Sequence, residues 1–220
     1  MAREIETKCI HLEEEENSIN HYGAISYPIY QSATYAHPGV GQSTGYDYSR
    51  LQNPTREHLE KTVASLENGI DALAFSSGMA AITLMMELFK PGDHLIVDAD
   101  LYGGSIRLFN HVSEKNGIEF SSVDCHKENV AAYIRENTKA VYIETPTNPM
   151  MNVTDIKALA EITKKHSILL IVDNTFLSPY FQNPLNHGAD IVVHSGTKYL
   201  GGHNDTLAGF LVTNREAISE

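Results

Sequence analysis

The chain has 220 residues and a mass of 24.3 kDa, enough to bury a substantial core in one domain or slightly more. With 42% hydrophobic and 20% charged residues it has the composition of a water-soluble globular protein, and a formal net charge of -12 argues against nucleic acid or an anionic membrane as its main partner. No stretch approaches the roughly 20 apolar residues of a membrane span, and the N-terminus, Met1 to Glu6, lacks the apolar core of a signal peptide.

Residues 1–50 are rich in Tyr, Ser, Gly and isolated prolines and show little periodicity. Glu13 to Glu16 read as a solvated acidic face, but Ile25, Tyr27, Ile29, Tyr30 and Tyr35 are apolar side chains that need burial. The segment is therefore expected to be an arm lying against something else, plausibly a second subunit. From residue 51 onward the chain alternates helical and strand signals, the pattern of an α/β domain with a mainly parallel sheet. A first helix starts at Pro54 after Asn53, with Leu59, Val63 and Leu66 on one face and Gly69 as its stop. Ala72 to Phe75 is a short buried strand, and a helix follows from about Gly78 to Phe89. The strand His94 to Val97, a loop, and a helix from about Ser105 to Lys115 come next. Ile118 to Val123 is a strand, residues 127–137 a helix, and Ala140 to Ile143 a strand. Thr154 is expected to cap a helix reaching His166, with Asp155 in its first turn and Lys164, Lys165 and His166 in its last, a charge order that suits the helix dipole. Ile168 to Val172 and Ile191 to Val193 are continuous apolar runs, as parallel strands covered on both faces should be. Leu207 to Val212 is a last strand, and a helix begins near Arg215.

Lys198 is the most informative residue. It follows the buried run Ile191–Val193, has the hydroxyls of Ser195 and Thr197 just ahead of it, and is followed by Gly201–Gly202. An amine at a strand end, beside hydroxyls able to grip a phosphate, suits a lysine that forms a Schiff base with a phosphorylated aldehyde. The partner such a cofactor needs is Asp173, an acid ending the buried strand Ile168–Val172, where it could keep a pyridinium nitrogen protonated. Pyridoxal phosphate uses this pair of groups. Ser195-Gly196-Thr197-Lys198 also spells the S-x-x-K of penicillin-binding proteins, but neither companion element, S-D-N or K-T-G, occurs. A Walker loop needs its glycines before the lysine, and here they follow it. A surface lysine in a Gly-rich turn is the bland alternative.

Ligands of open α/β sheets bind at the carboxyl ends of strands, and three further features fall there. Ser76-Ser77-Gly78-Met79 joins a strand to a helix, so its amides can face an anion at the positive end of the helix dipole. Tyr102 could stack on a flat heteroaromatic ring, and Asn148 could bond a phenolic oxygen. Read alone, the first is an ordinary capped helix start, and the turn that holds Asn148 is a rigid Pro/Asn turn; their shared placement strengthens the set. The eleven histidines show neither H-E-x-x-H nor paired helical spacing, and Cys9 and Cys125 stand in no metal-type spacing, so no metal site is expected. The cysteines read as free cytosolic thiols.

Several of these motifs, in this order, resemble the pyridoxal-phosphate-dependent transsulfuration enzymes of cysteine and methionine metabolism. The marks are Tyr48-Ser49-Arg50 with Asn53-Pro54-Thr55, Ser76 to Ala80, Leu101-Tyr102-Gly103-Gly104, Glu144 to Pro149, Val172 to Thr175 and His194 to Gly202. The resemblance implies a fold of the aspartate-aminotransferase type (fold type I), with a large cofactor domain over residues 51–220 preceded by an N-terminal arm over residues 1–50. It implies that Lys198 carries the cofactor and shuttles protons, Asp173 pairs with the ring nitrogen, Tyr102 stacks on the ring, and Asn148 lies near the phenolic oxygen. It assigns the phosphate to the amides of Gly78 and Met79 and the hydroxyls of Ser195 and Thr197, with Tyr48 and Arg50 reaching the phosphate of the neighbouring subunit. A dimer is then the minimal active unit and a homotetramer the expected assembly, in the cytoplasm. Members of the family continue beyond the position of Glu220 into a domain that supplies the arginine gripping the substrate carboxylate, so the resemblance implies a fragment or a shortened product.

The resemblance points first to a cystathionine γ-synthase, acting on an O-acylhomoserine with cysteine and perhaps with sulfide, because residues 39–48 and 198–205 look like those of bacterial γ-synthases. Methionine γ-lyases tend to carry a cysteine where Gly104 stands here. Cystathionine γ-lyase and β-lyase remain alternatives, and so, from another class, does a non-catalytic module that binds cofactor or pairs with full-length relatives.

Overall fold

A computed structural model describes residues 4–12 and 24–219; the acidic run Glu13 to Glu16 lies outside the described residues. The elements run α1 (Ile5–Lys8), α2 (Pro54–Glu67), β1 (Asp71–Phe75), α3 (Gly78–Met85), β2 (His94–Asp98), α4 (Gly103–Leu108), β3 (Glu119–Val123), β4 (Thr138–Glu144), α5 (Ile156–Lys165), β5 (Leu169–Asp173), α6 (Ser178–Phe181), β6 (Ile191–Ser195), β7 (Gly209–Thr213) and α7 (Glu216–Ser219). The strands form one seven-stranded sheet in the order β1-β7-β6-β5-β4-β2-β3. β2 to β6 are parallel wherever they pair, and β7 is antiparallel to both of its neighbours. Two reversals restore direction, so β1 points the same way as β6, and the carboxyl ends of β1, β2, β4, β5 and β6 share one edge of the sheet.

The apolar runs of β4, β5 and β6 are continuous because each strand feeds two cores. Val141, Ile143, Leu170, Val172 and Val192 join Val63, Leu159 and Ala160 on the face covered by α2 and α5. Ala140, Tyr142, Ile171, Ile191 and Val193 join Ile82, Met85 and Phe109 on the face covered by α3 and α4. Each fully buried aliphatic side chain contributes roughly 1.5–3 kcal/mol, so the central strands anchor the domain.

Helix ends show where local rules bend to packing. Asn53 caps α2, its Oδ1 accepting from Thr55 N at 2.9 Å with Pro54 in the first turn. The helix stops at Asn68, which takes the left-handed conformation with φ of 58°, and not at Gly69. Gly69 serves a close approach instead, since a Cβ there would meet Val212 Cγ1 at 2.5 Å. The buried face of α2 is Val63, Ala64 and Glu67, while Leu59 is left 44% exposed. β1 is a half-exposed edge strand, not a buried one. The helix of α3 ends at Met85 and tightens into a 3-10 turn over Met86–Leu88. α4 starts at Gly103 and widens into a π-helical turn over Phe109–Ser113, where Phe109 packs on Phe120 and Tyr142 with centroids 5.2 and 5.4 Å away.

Two expectations fail outright. Residues 127–137 hold only the 3-10 turn Val130–Tyr133, capped by Asn129; Val130 is the one buried residue of that turn, with Ile134 just after it packed at the core's edge, too little packing to hold a longer helix. The cap of α5 is Asp155, whose Oδ1 accepts from Ala158 N at 3.0 Å. Thr154 is buried one residue earlier, its N–H donating to Thr145 Oγ1 at 3.0 Å. Among the described residues no helix is long and apolar enough to cross a membrane, and no group of three or more His, Cys, Asp or Glu could hold a metal ion. Cys9 is exposed and Cys125 buried, both as free thiols.

Candidate active site

At the shared carboxyl edge lies a cleft of about 650 Å³, and Gly78, Met79, Tyr102, Asn148, Asp173, Ser195, Thr197 and Lys198 all line it. Residues 120 positions apart meet here because strand polarity sends every one of their loops to the same side. The helix α3 opens on the cleft. Ser77 caps it by accepting from Ala80 N at 3.1 Å, and the first intrahelical bond is Ala81 N to Ser77 O. The N–H groups of Gly78 and Met79 precede that bond and stand at the positive end of the dipole. Gly78 must lack a side chain, since a Cβ would lie 2.8 Å from that of Ser195.

Asp173, 7% exposed, ends β5 on the cleft face. Its Oδ1 accepts from Thr175 N at 3.0 Å and its Oδ2 from the Tyr142 hydroxyl at 3.3 Å. Burial raises its carboxyl above the usual range, and bonds from Thr175 and the nearby His194 oppose that rise. Glu144 sits beside it, paired in register across β4 and β5. Burial first, then Asp173, pushes the Glu144 carboxyl up to about 8, against the opposing N–H groups of Tyr102 and Asn148. Glu144 Oε2 accepts from Tyr102 N at 2.8 Å and so sets the start of α4. The Tyr102 ring lies over Gly104, where a Cβ would approach it to 2.4 Å. Asn148 is held on a turn with cis peptides before Pro146 and Pro149, and Asp100 fastens that turn by accepting from Thr147 Oγ1 and from Met150 N at 3.2 Å.

Lys198 begins a tight loop in which Gly202 N donates to its carbonyl at 2.8 Å. The Ser195 N–H donates to Thr175 Oγ1 at 2.8 Å, which ties the end of β6 to the residues after β5. Thr197 Oγ1 already pairs with Ala208, donating to its carbonyl at 3.3 Å and accepting from its N–H at 3.2 Å. Tyr48 and Arg50 are not brought to this cleft. Both are exposed on the arm, with the Arg50 guanidinium 5.1 Å from the centre of the Tyr48 ring. The arm itself packs on α2 through Asn53 Nδ2, which donates to Tyr30 O, Tyr35 Oη and Ser49 Oγ. Ile25 and Ile29 remain 88% and 77% exposed.

Glu144 and Thr175 are lining residues that sequence reasoning left without a role. The signal for Glu144 was the one that singled out Asp173, an acid closing an apolar strand.

A cleft at the carboxyl edge of a mostly parallel sheet, lined by a helix N-terminus, a partly exposed tyrosine, an amine and a buried acid, has the groups that a phosphorylated aromatic cofactor would need. Residues 6–220 match the family model described as Cys/Met metabolism PLP-dependent enzyme, PLP being pyridoxal phosphate, and the chain belongs to that family. It is 52% identical over 225 residues to "Cystathionine gamma-synthase/O-acetylhomoserine (thiol)-lyase" of Bacillus subtilis (strain 168), covering 100% of this chain and 59% of that protein. It is 50% identical over 198 residues to the cystathionine beta-lyase of Lactococcus lactis subsp. cremoris (strain MG1363), covering 90% of this chain and 52% of that one. The crystal structure of cystathionine gamma-lyase from Lactobacillus plantarum complexed with L-serine matches with a TM-score of 0.92 at 45% identity, over 98% of this chain and 56% of that chain. The chain thus spans a little over half the length of the relatives it matches.

Proposed function

We propose that this chain is the cofactor-binding part of a transsulfuration enzyme of the cystathionine γ-synthase type, which replaces the acyloxy group of an O-acylhomoserine by cysteine, and also by sulfide. The observation that carries the reading is that Lys198 and Asp173 line one cleft with the N-terminus of α3. When bound, pyridoxal phosphate supplies an aldehyde that captures amines and a ring that takes up the electron pair released at a substrate's α-carbon.

The residues divide that work among them. Lys198 would provide the amine that holds the cofactor and would carry protons to and from the substrate's α- and β-carbons. Asp173 keeps a proton on the ring nitrogen; burial disfavours a lone carboxylate there, and a cationic ring is the counter-charge that stabilises it. Tyr102 would stack on the cofactor ring, and the Asn148 amide would donate to its phenolic oxygen. The amides of Gly78 and Met79 and the hydroxyls of Ser195 and Thr197 would hold the phosphate, and the Thr197 hydroxyl, now donating to Ala208 O at 3.3 Å, would gain a charged acceptor there. Tyr48 and Arg50 reach the phosphate of a second subunit. That makes a dimer the minimal unit and a tetramer the full assembly, with residues 1–50 as the arm and 51–220 as the cofactor domain. We place the enzyme in the cytoplasm, where free thiols stay reduced.

The γ-synthase reading is supported by the Bacillus subtilis relative, which matches the chain from end to end. Relatives named for β-elimination match it at 50% identity, so the cofactor machinery alone does not separate the reactions. The binding test is direct. Protein mixed with pyridoxal phosphate should turn yellow, borohydride should bleach the band, and peptide mapping should find the label on Lys198. Lys198→Ala should abolish the labelling, whereas a label on another lysine sinks the assignment. Turnover of O-acylhomoserine with cysteine, against release of ammonia from cystathionine, then tells synthase from lyase in the complete enzyme.

A further inference from the structure

Behind the sheet, on the face opposite the cleft, a buried polar network joins the strand ends that carry the site. Its centre is Glu67, the last residue of α2 and 0% exposed. Glu67 Oε1 lies 2.6 Å from His194 Nε2 and accepts from Asn174 Nδ2 at 2.7 Å, while Oε2 accepts from Asn183 Nδ2 at 3.4 Å. Asn174 Oδ1 accepts from Gln182 Nε2 at 2.9 Å, and the same Gln182 amide donates to Thr145 O at 3.1 Å. His194 and Asn174 adjoin Ser195 and Asp173 in sequence, and Thr145 opens the turn that carries Asn148.

The alternation of strand side chains explains why the network is separate from the cleft. Asp173 follows the parity of Ile171, in the core under α3, whereas His194 follows that of Val192, in the core under α2. One carboxylate therefore grips the tips of β5 and β6 from behind, and the Asn174–Gln182 pair extends the grip to the loop after β4. A role in stability alone is a poor explanation. Burying a carboxylate is costly, His194 Nδ1 is left without a partner among the described residues, and apolar packing commonly stabilises such a position as well or better. The hydrogen bonds that Glu67 does make are directional, so they fix one spatial arrangement of the strand ends they join.

We propose that Glu67 is a positioning residue for the cofactor site, holding the ends of β4, β5 and β6 at the spacing that aims Asp173, Ser195 and Asn148 into the cleft. The proposal rests on the cofactor reading given above.

The test measures cofactor affinity from the visible band, and backbone amide exchange in cofactor-free protein. Glu67→Leu should weaken pyridoxal phosphate binding by about tenfold or more, the scale on which supporting hydrogen-bond partners alter a site. It should also speed exchange at the Asn174 N–H, bonded to Val193 O at 3.0 Å, and at the Ser195 N–H, bonded to Thr175 Oγ1. Glu67→Gln keeps an oxygen acceptor for Asn174 and His194 and should restore most of the affinity. Val63→Ala opens a cavity on the same helix face, so it should lower stability while leaving affinity unchanged. Parent-like affinity in Glu67→Leu, or an equal loss in Val63→Ala, overturns the proposal. If Glu67→Leu does not fold, Gln182→Met decides, because it cuts only the link between Asn174 and Thr145, and unchanged affinity there is equally fatal. If the unaltered chain binds no cofactor, the cofactor reading fails by itself. Exchange then judges the clamp, and unaltered protection in the variants overturns it.

Discussion

Replacing Glu144 by glutamine should change how stability depends on pH, and the structure sets the sign and the size. The side chain is 6% exposed at the end of β4, beside Asp173, and its carboxyl is pushed to about 8 from an ordinary 4.5. Between those pH values the folded chain keeps the proton and the unfolded chain releases it. The folded state therefore binds more protons, and stability must fall as pH rises across that window. The stabilisation is complete below the unfolded value and is lost as pH rises through the folded one. Ionising this group in the folded chain costs about 5 kcal/mol more than in the unfolded chain, at 1.36 kcal/mol per pH unit. In Glu144→Gln the amide oxygen can still accept from Tyr102 N, but the amide nitrogen faces the donor of Asn148, a pH-independent loss of about 1–3 kcal/mol. Urea unfolding of cofactor-free parent and variant from pH 5 to 9 should then show the variant weaker at pH 5. It should draw level and overtake as pH rises, the difference between the two moving by several kcal/mol. Asp98, raised to about 6 by burial, and Asp173, raised in the same direction, leave a common downward slope in both proteins. Parallel curves for the two proteins refute the reasoning.

Asp173→Asn should bind pyridoxal phosphate within a few-fold of the parent, but turnover in the complete enzyme should drop by about a hundredfold or more, the scale of a lost charge-stabilising group; near-normal turnover means the acid is misassigned. Arg50→Ala and Lys198→Ala should each be nearly inactive in the complete enzyme, yet regain activity when mixed as exchanging dimers, since one site then combines both native residues. Failure to complement despite demonstrated heterodimers places Arg50 in the same site as its own Lys198.

Most strands were legible as short apolar runs bounded by polar turns, too short for buried helices, whereas β3, Glu119-Phe120-Ser121-Ser122-Val123, is half polar and was legible from its place in the alternation of elements. Element ends were not, because tertiary contact decides them. Gly69 looks like a helix stop and is instead a point of close approach to Val212, while Asn68 supplies the left-handed cap. Residues 127–137 carry helix-forming residue types, but a helix in a protein is held mainly by a packed face, and only Val130 of the observed turn is buried. Residues 1–50 were expected to lie against something else because of their apolar side chains; of these, Ile25 and Ile29 are exposed in the single chain.

The site was legible to the extent that it sits at strand ends, and it became hidden where the face of the strand matters. An acid or amine closing an apolar run marks a position along the strand axis, and Asp173, Lys198 and Glu144 all carry that mark. Which side of the sheet it faces would show as alternation, but β4, β5 and β6 are apolar on both faces and so show none. Asp173 and Asn174 are neighbours that point to opposite sides, one into the cleft and one into the network behind it. Glu67 meets His194 across 127 positions of sequence, at the end of a helix whose other buried residues are plain packing. Nothing local to either residue announces the pair. The continuity of the apolar runs that makes this sheet easy to find is therefore what conceals its second polar layer, and only the contacts made across the fold, Glu67 to His194 and to Asn174, bring one helix end against both strand tips from behind.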